Sequence, residues 1–82
     1  MNTRTAVIAI IVKNSNSAEE INALLHVYAE YIIGRMGIPF REKKLNLISI
    51  AIDAPQDIIN TLAGKIGRID GVEAKTVYAP LD

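Results

Sequence analysis

The feature that most constrains this chain is a strand-like segment that is apolar on both sides. Thr5 to Lys13 reads TAVIAIIVK. At the two-residue period of a strand, Ala6, Ile8, Ile10 and Val12 share one face, and Val7, Ala9 and Ile11 share the other. Such a strand belongs in the middle of a sheet with both faces covered. A second segment of this kind, Leu45 to Asp53 (LNLISIAID), sets Ile48, Ile50 and Ile52 against Leu47, Ser49 and Ala51.

Between the two lie a helical stretch and a weaker strand. Asn14 to Asn16 reads as a loop, and Ser17 with Glu20 three residues on has the spacing of a capping box. Ile21, Leu24, Leu25, Tyr28 and Ile32 then form one helical stripe, with Glu19, Ala23, His26 and Glu30 opposite. The pattern predicts a helix ending near Tyr31 to Ile33, since Gly34 follows. From Gly34 the period becomes two: Met36, Ile38 and Phe40 alternate with Arg35, Gly37, Pro39 and Arg41. A proline lacks the amide a central strand needs, so this is an edge strand. Glu42 to Lys44 is a polar turn. Asp53 with Gln56 predicts a second helix cap, with Pro55 in the first turn and Ile58, Ile59, Leu62 and Ile66 buried up to Gly67. Asp70-Gly71 is a turn, Val72 to Tyr78 a last strand carrying Glu73 and Lys75, and Ala79 to Asp82 a short tail.

The order β-α-β-β-α-β predicts an α+β, ferredoxin-like two-layer sandwich: a four-stranded antiparallel sheet with both helices on one face. The apolar segments fall at the central positions of that topology, and the segments with Pro, Arg, Glu and Lys at its edges. The uncovered face would show Val7, Ala9, Ile11, Leu47 and Ala51. An open apolar sheet face predicts a homo-oligomer, a dimer or tetramer, packed sheet to sheet or edge to edge.

Composition narrows the function. The 82 residues are expected to form one domain, residues 1–82, and a domain this short buries only about 60% of its unfolded surface. Nine basic and nine acidic residues cancel, whereas nucleic-acid binders draw most of their affinity from a basic excess. There is no Cys and a single His, so neither a disulfide framework nor a thiolate metal site is available. The apolar run Ala6 to Val12 is too short to span a bilayer and lacks a signal-peptide cleavage pattern. A cytoplasmic location is expected.

Candidate sites are few. His26 and Glu30, four residues apart, have helical surface-pair spacing. One His and one carboxylate fall short of the three or four ligands of a metal centre unless a symmetric interface doubles them; a solvated surface His is the favoured reading. Arg35 and Arg41 lie on the same side of the second strand as Gly37, and the topology assigns that side to the open face. Two guanidiniums beside a glycine could hold an anionic ligand or a partner carboxylate. The competing reading, that they are edge charges blocking unwanted strand pairing, ranks ahead of it. Two G-x-x-G tetrapeptides, Gly34–Gly37 and Gly64–Gly67, match the RNA-clamping loop of KH domains in letters only. That loop joins two helices, and here a strand follows each. Arg41-Glu42-Lys43-Lys44 reads as a solvated turn. No nucleophile-base pair, phosphate-binding glycine loop or metalloprotease motif occurs. The chain is read as a non-enzyme without cofactor or metal.

The segments Leu24-Leu25-His26, Ile32 to Pro39, Arg41-Glu42 and Leu62 to Val72 resemble the iron-only hydrogenase system regulator family along essentially the whole chain. Their most specific part is the Arg35-x-Gly37-x-Pro39 segment. The family is similar in fold to ACT domains and to the regulatory domain of nickel-responsive repressors. The resemblance therefore implies an oligomeric regulatory domain with effector sites at its interfaces, linked to a hydrogenase system. A repressor-type nickel site needs several His and a Cys, which this chain does not have. No ribbon-helix-helix pattern is read in these 82 residues, so any control of transcription is expected to run through another protein. Three readings follow: a ligand-sensing or partner-binding regulator, an assembly subunit without ligand, and, last, a nucleic-acid binder.

Overall fold

The computed structural model describes residues 2–81; Met1 and the final tail residue, Asp82, lie outside the described residues. The elements are β1 (Arg4–Val12), α1 (Ala18–Val27), β2 (Ile32–Phe40), β3 (Leu45–Ala54), α2 (Gln56–Gly67) and β4 (Val72–Tyr78). Three short 3-10 turns stand at Ser15–Ser17, Ala29–Tyr31 and Arg41–Lys43. The sheet order is β2-β3-β1-β4 with every pair antiparallel. This is the expected ferredoxin-like arrangement, with β1 and β3 central.

Register follows the apolar pattern. Ile8 stands opposite Ile50, Ile10 opposite Ile48 and Ala6 opposite Ile52. These side chains meet Ile21 and Leu25 from α1 and Ile59, Leu62 and Ile66 from α2 in one core. Ile8, Ile50, Ile52 and Leu62 are fully buried, each contributing about 1.5–3 kcal/mol relative to exposure. A one-residue slip of β3 would turn its isoleucines out of the core, so burial fixes the register.

Both helix starts differ from expectation. Ser17 is the N-cap of α1 but makes no side-chain cap bond, and its backbone is already right-handed helical. Its hydroxyl donates instead to the Asp70 carbonyl at 2.8 Å, tying the start of α1 to the turn before β4. Asn14 organises the entry: its side-chain oxygen accepts from the Asn16 amide at 3.0 Å, and its carbonyl from the Ser17 amide at 2.9 Å. Asp53 is not the cap of α2. It belongs to β3, opposite Thr5, whose hydroxyl donates to it at 3.1 Å. Pro55 occupies the N-cap position.

α1 is also shorter than its stripe implied. It ends at Val27, and Tyr28 caps it with a non-helical backbone. Tyr28 and Ile32 still face the core, because the 3-10 turn at Ala29–Tyr31 keeps the chain coiled for one more turn. β2 therefore begins at Ile32, with a bulge between Ile32 and Gly34. Glu30 sits in that turn, so His26 and Glu30 are not a pair on one helix. The two G-x-x-G tetrapeptides lie inside β2 and inside α2, and neither is a loop between helices.

Gly71 is the one glycine whose conformation demands glycine. Its φ is +72°, and a Cβ there would stand 2.9 Å from the Asn14 Cβ. Its carbonyl accepts from the Lys13 amide at 2.7 Å, locking the end of β1 to the start of β4.

Candidate functional site

Three surface features hold the open sheet face and the residues singled out in the sequence. The first is the sheet face away from the helices. Val7 and Ile11 of β1 are 42% and 40% exposed, and Val77 of β4 is 68% exposed. Met36 and Ile38 of β2, opposite Ser49 and Leu47, are 55% and 48% exposed. Phe40 completes the row beside Leu45. This apolar band crosses all four strands, with Glu73 and Lys75 of β4 opposite Ile11 and Ala9 on the same side.

That arrangement corrects the assignment of β2. Arg35 stands opposite Ile50 and Gly37 opposite Ile48, so both lie on the helix side of the sheet, not on the open face. The alternation along β2 is as expected, but its two faces are exchanged. The reason is that β3 sets the register: its isoleucines belong to the core, and the β2 residues opposite them share that side. Patterning alone would have buried Met36, Ile38 and Phe40 under the helices.

The second feature is a shallow cleft of about 220 Å³ between α1 and β2, lined by Asn22, Leu25, His26, Ala29, Ile32 and Arg35. The Arg35 guanidinium donates to the Asn22 side-chain oxygen at 2.7 Å. His26 stands one helical turn beyond Asn22, at the same cleft. A guanidinium, an amide and an imidazole around one depression suit a carboxylate or a peptide carbonyl. Sequence reasoning chose His26 and Arg35 but did not place them together, and it missed Asn22. Gly37 takes no part in this cleft; a Cβ on it would meet nothing within 4 Å, so no close backbone approach accounts for it.

The third feature holds Arg41, which is not on β2 at all. It opens the 3-10 turn at Arg41–Lys43 and belongs to a separate cleft of about 460 Å³. Lys13, Asn14, Pro39, Arg41, Lys44, Leu45 and Asn46 line it. Arg35 and Arg41 are therefore not one site. A strand period extended past Phe40 joined them, and the turn breaks that period. The cleft exists because β1 and β3 run antiparallel with Val12 opposite Asn46, which carries Lys13 and Asn14 to the β2–β3 turn. Lys44 is left-handed, with φ 56°. Lys13 pairs with the exposed Glu73 carboxylate at 3.3 Å, a contact worth under about 1 kcal/mol in water. Among the described residues, no cluster of three or more His, Asp or Glu gathers as a metal site, and no helix is long and apolar enough to cross a membrane.

Comparison with known proteins agrees with the fold. The family model for TM1266-like proteins, described as proposed iron-only hydrogenase system regulators, matches residues 4–76. The structure of the uncharacterized protein TM1266 from Thermotoga maritima superposes with a TM-score of 0.92 at 34% identity, covering 96% of this chain and 100% of that one. A formyltetrahydrofolate deformylase from Pseudomonas putida KT2440 matches with a TM-score of 0.65 at 13% identity, over 93% of this chain and 29% of its own length. CPII, a nitrogen regulatory PII-like protein from Thiomonas intermedia K12, matches with a TM-score of 0.52 at 16% identity, over 98% and 100% of the two chains. At such identities the last two speak to the fold alone. A search of curated proteins finds no match. The model match and the Thermotoga structure together place this chain in the TM1266-like family of proposed iron-only hydrogenase system regulators.

Proposed function

We propose that the chain is a non-catalytic, cytoplasmic regulatory module that works as a homo-oligomer within an iron-only hydrogenase system, with the sheet face of one copy covered by another. The observation that carries this reading is the apolar band across the four strands. Ile38, Met36 and Val77 are about half or more exposed in the single chain, and isolated surface apolar residues rarely gather into so continuous a patch unless something covers it. A second copy suits the face. Glu73 and Lys75 lie on it with opposite signs, so a two-fold contact can set each against its counterpart. Covering the exposed half of an isoleucine contributes about 1 kcal/mol per copy, at the burial value of a whole side chain halved.

The regulatory side of the reading rests on the family and on the two clefts, which give an effector somewhere to bind. They favour a ligand-responsive module over a plain assembly subunit. The CPII neighbour was solved with ADP, AMP and bicarbonate, and a small-ligand response on this fold is in keeping with that. The test is sedimentation velocity on the wild type and on Ile38→Lys. A wild-type oligomer that the substitution splits into folded monomers supports the reading. A monomeric wild type, or an oligomer indifferent to Ile38→Lys, overturns the assigned interface.

A further inference from the structure

We infer that the cleft at the end of the sheet binds a phosphate-bearing small molecule. Three cations converge there from two separate segments: Lys13 from the end of β1, and Arg41 and Lys44 from the β2–β3 turn. The only ion pair formed by any of them among the described residues is the solvent-exposed contact of Lys13 with Glu73. In a chain whose formal charge is zero, this is a local positive excess. A guanidinium grips phosphate oxygens in pairs and an ammonium adds a point charge. Asn14 and Asn46 supply neutral donors and acceptors, and Pro39 with Leu45 supplies an apolar wall. A volume of about 460 Å³ lies in the range of small-ligand sites. The ligand class that fits is an organic phosphate with a flat or apolar portion, such as a nucleoside mono- or diphosphate.

Lys44 sharpens the argument. A turn that only reverses the chain takes Gly or Asn at a left-handed position, yet Lys44 holds φ 56°. A charged residue in that uncommon conformation, lining a cleft, is an outlier that points to a role for its side chain. A polynucleotide is a poorer match, because it needs an extended basic track and the nine acids offset the nine bases.

The inference takes its regulatory meaning from the proposed function but not its chemistry. Isothermal titration of the full chain with inorganic pyrophosphate, AMP and ADP, at low and at physiological salt, tests it. Binding of at least one probe is expected, weakening about tenfold or more in Arg41→Ala and in Lys44→Gly, with Lys65→Gln as an equally charged loss elsewhere that keeps wild-type affinity. Lys44→Gly relieves the backbone and is expected to melt no lower than wild type, so its weaker binding cannot be blamed on unfolding. No binding of any probe, equal binding by the cleft variants, or stronger binding of a single-stranded oligonucleotide than of ADP would each overturn the site. Sedimentation of the same samples separates the two ideas. An oligomer that ignores all three probes sinks the cleft alone, and a monomer that binds them sinks the assembly alone.

Discussion

Gly71→Ala should be among the most damaging one-atom changes available outside the core. At φ +72°, an L side chain costs about 1–2 kcal/mol. The new Cβ would lie 2.9 Å from the Asn14 Cβ and 3.3 Å from the Asn14 amide nitrogen, where carbon neighbours sit at about 3.5–4.0 Å. Neither neighbour is the loose end of a side chain, so the backbone must part. Parting it strains the 2.7 Å bond from the Lys13 amide to the Gly71 carbonyl, worth about 1 kcal/mol. Alanine stiffens the unfolded chain, which returns about 0.4–1 kcal/mol. The net loss is about 2 kcal/mol, a fall in melting temperature of about 8–16 °C for a domain of this size. Thermal and urea unfolding followed by circular dichroism at one fixed protein concentration reads it. The control is Gly67→Ala, at the last residue of α2 with nothing within 4 Å of the added atom; it should gain up to about 1 kcal/mol. If Gly71→Ala melts with the wild type, the tie between β1 and the β4 turn is not what holds that end, and the position assigned to Lys13 and Asn14 in the cleft loses its support.

Ser17→Ala removes the partly buried 2.8 Å bond to the Asp70 carbonyl and should cost about 1 kcal/mol in urea unfolding; no loss would mean that this bond does not hold the start of α1 to the turn before β4. Asp53→Ala breaks only the exposed bonds to Thr3 and Thr5 and should change stability by about 0.5 kcal/mol or less, where loss of a true helix cap would cost about 1 kcal/mol and lower the helical signal. Leu62→Ala empties a fully buried core position and should cost about 2–5 kcal/mol; a smaller loss in chemical denaturation would mean the two layers are loosely packed. Ile38→Lys replaces a residue already 48% exposed, so the folded monomer should survive; lost burial across two copies alone weakens assembly by about 2 kcal/mol, near 30-fold in the dissociation constant, and the larger cost of burying two unpaired ammonium groups drives it on to monomers. A concentration series by sedimentation reads that shift.

The fold was legible because its central strands state their own place. Ile8 and Ile50, at matching phase in two segments apolar on both sides, could hardly be edge residues, and Pro39 could hardly be central. What the sequence could not disclose was which way an edge strand faces. Met36, Ile38 and Phe40 carry the same alternation whichever side they take, and only the pairing of Gly37 with Ile48 decides it. Caps failed for a related reason. Ser17 and Asp53 have the right spacing, but each finds a partner distant in sequence, the Asp70 carbonyl and the Thr5 hydroxyl, and a local motif is blind to such competition. The clefts were half visible. His26, Arg35 and Arg41 stood out as residue types, whereas Asn22, Lys13 and Asn46 join them only through the turn of α1 and the antiparallel register of β1 with β3. The run Arg41 to Lys44 offered the one available signal for the larger cleft, and read alone it is a solvated turn.

The most direct test of the central claim is the mass of the assembly in solution, measured by native mass spectrometry and by sedimentation across the micromolar range. The account predicts a dimer or tetramer that Ile38→Lys converts to a folded monomer. A wild-type chain that stays monomeric throughout that range, with its apolar sheet face open to water, would contradict it.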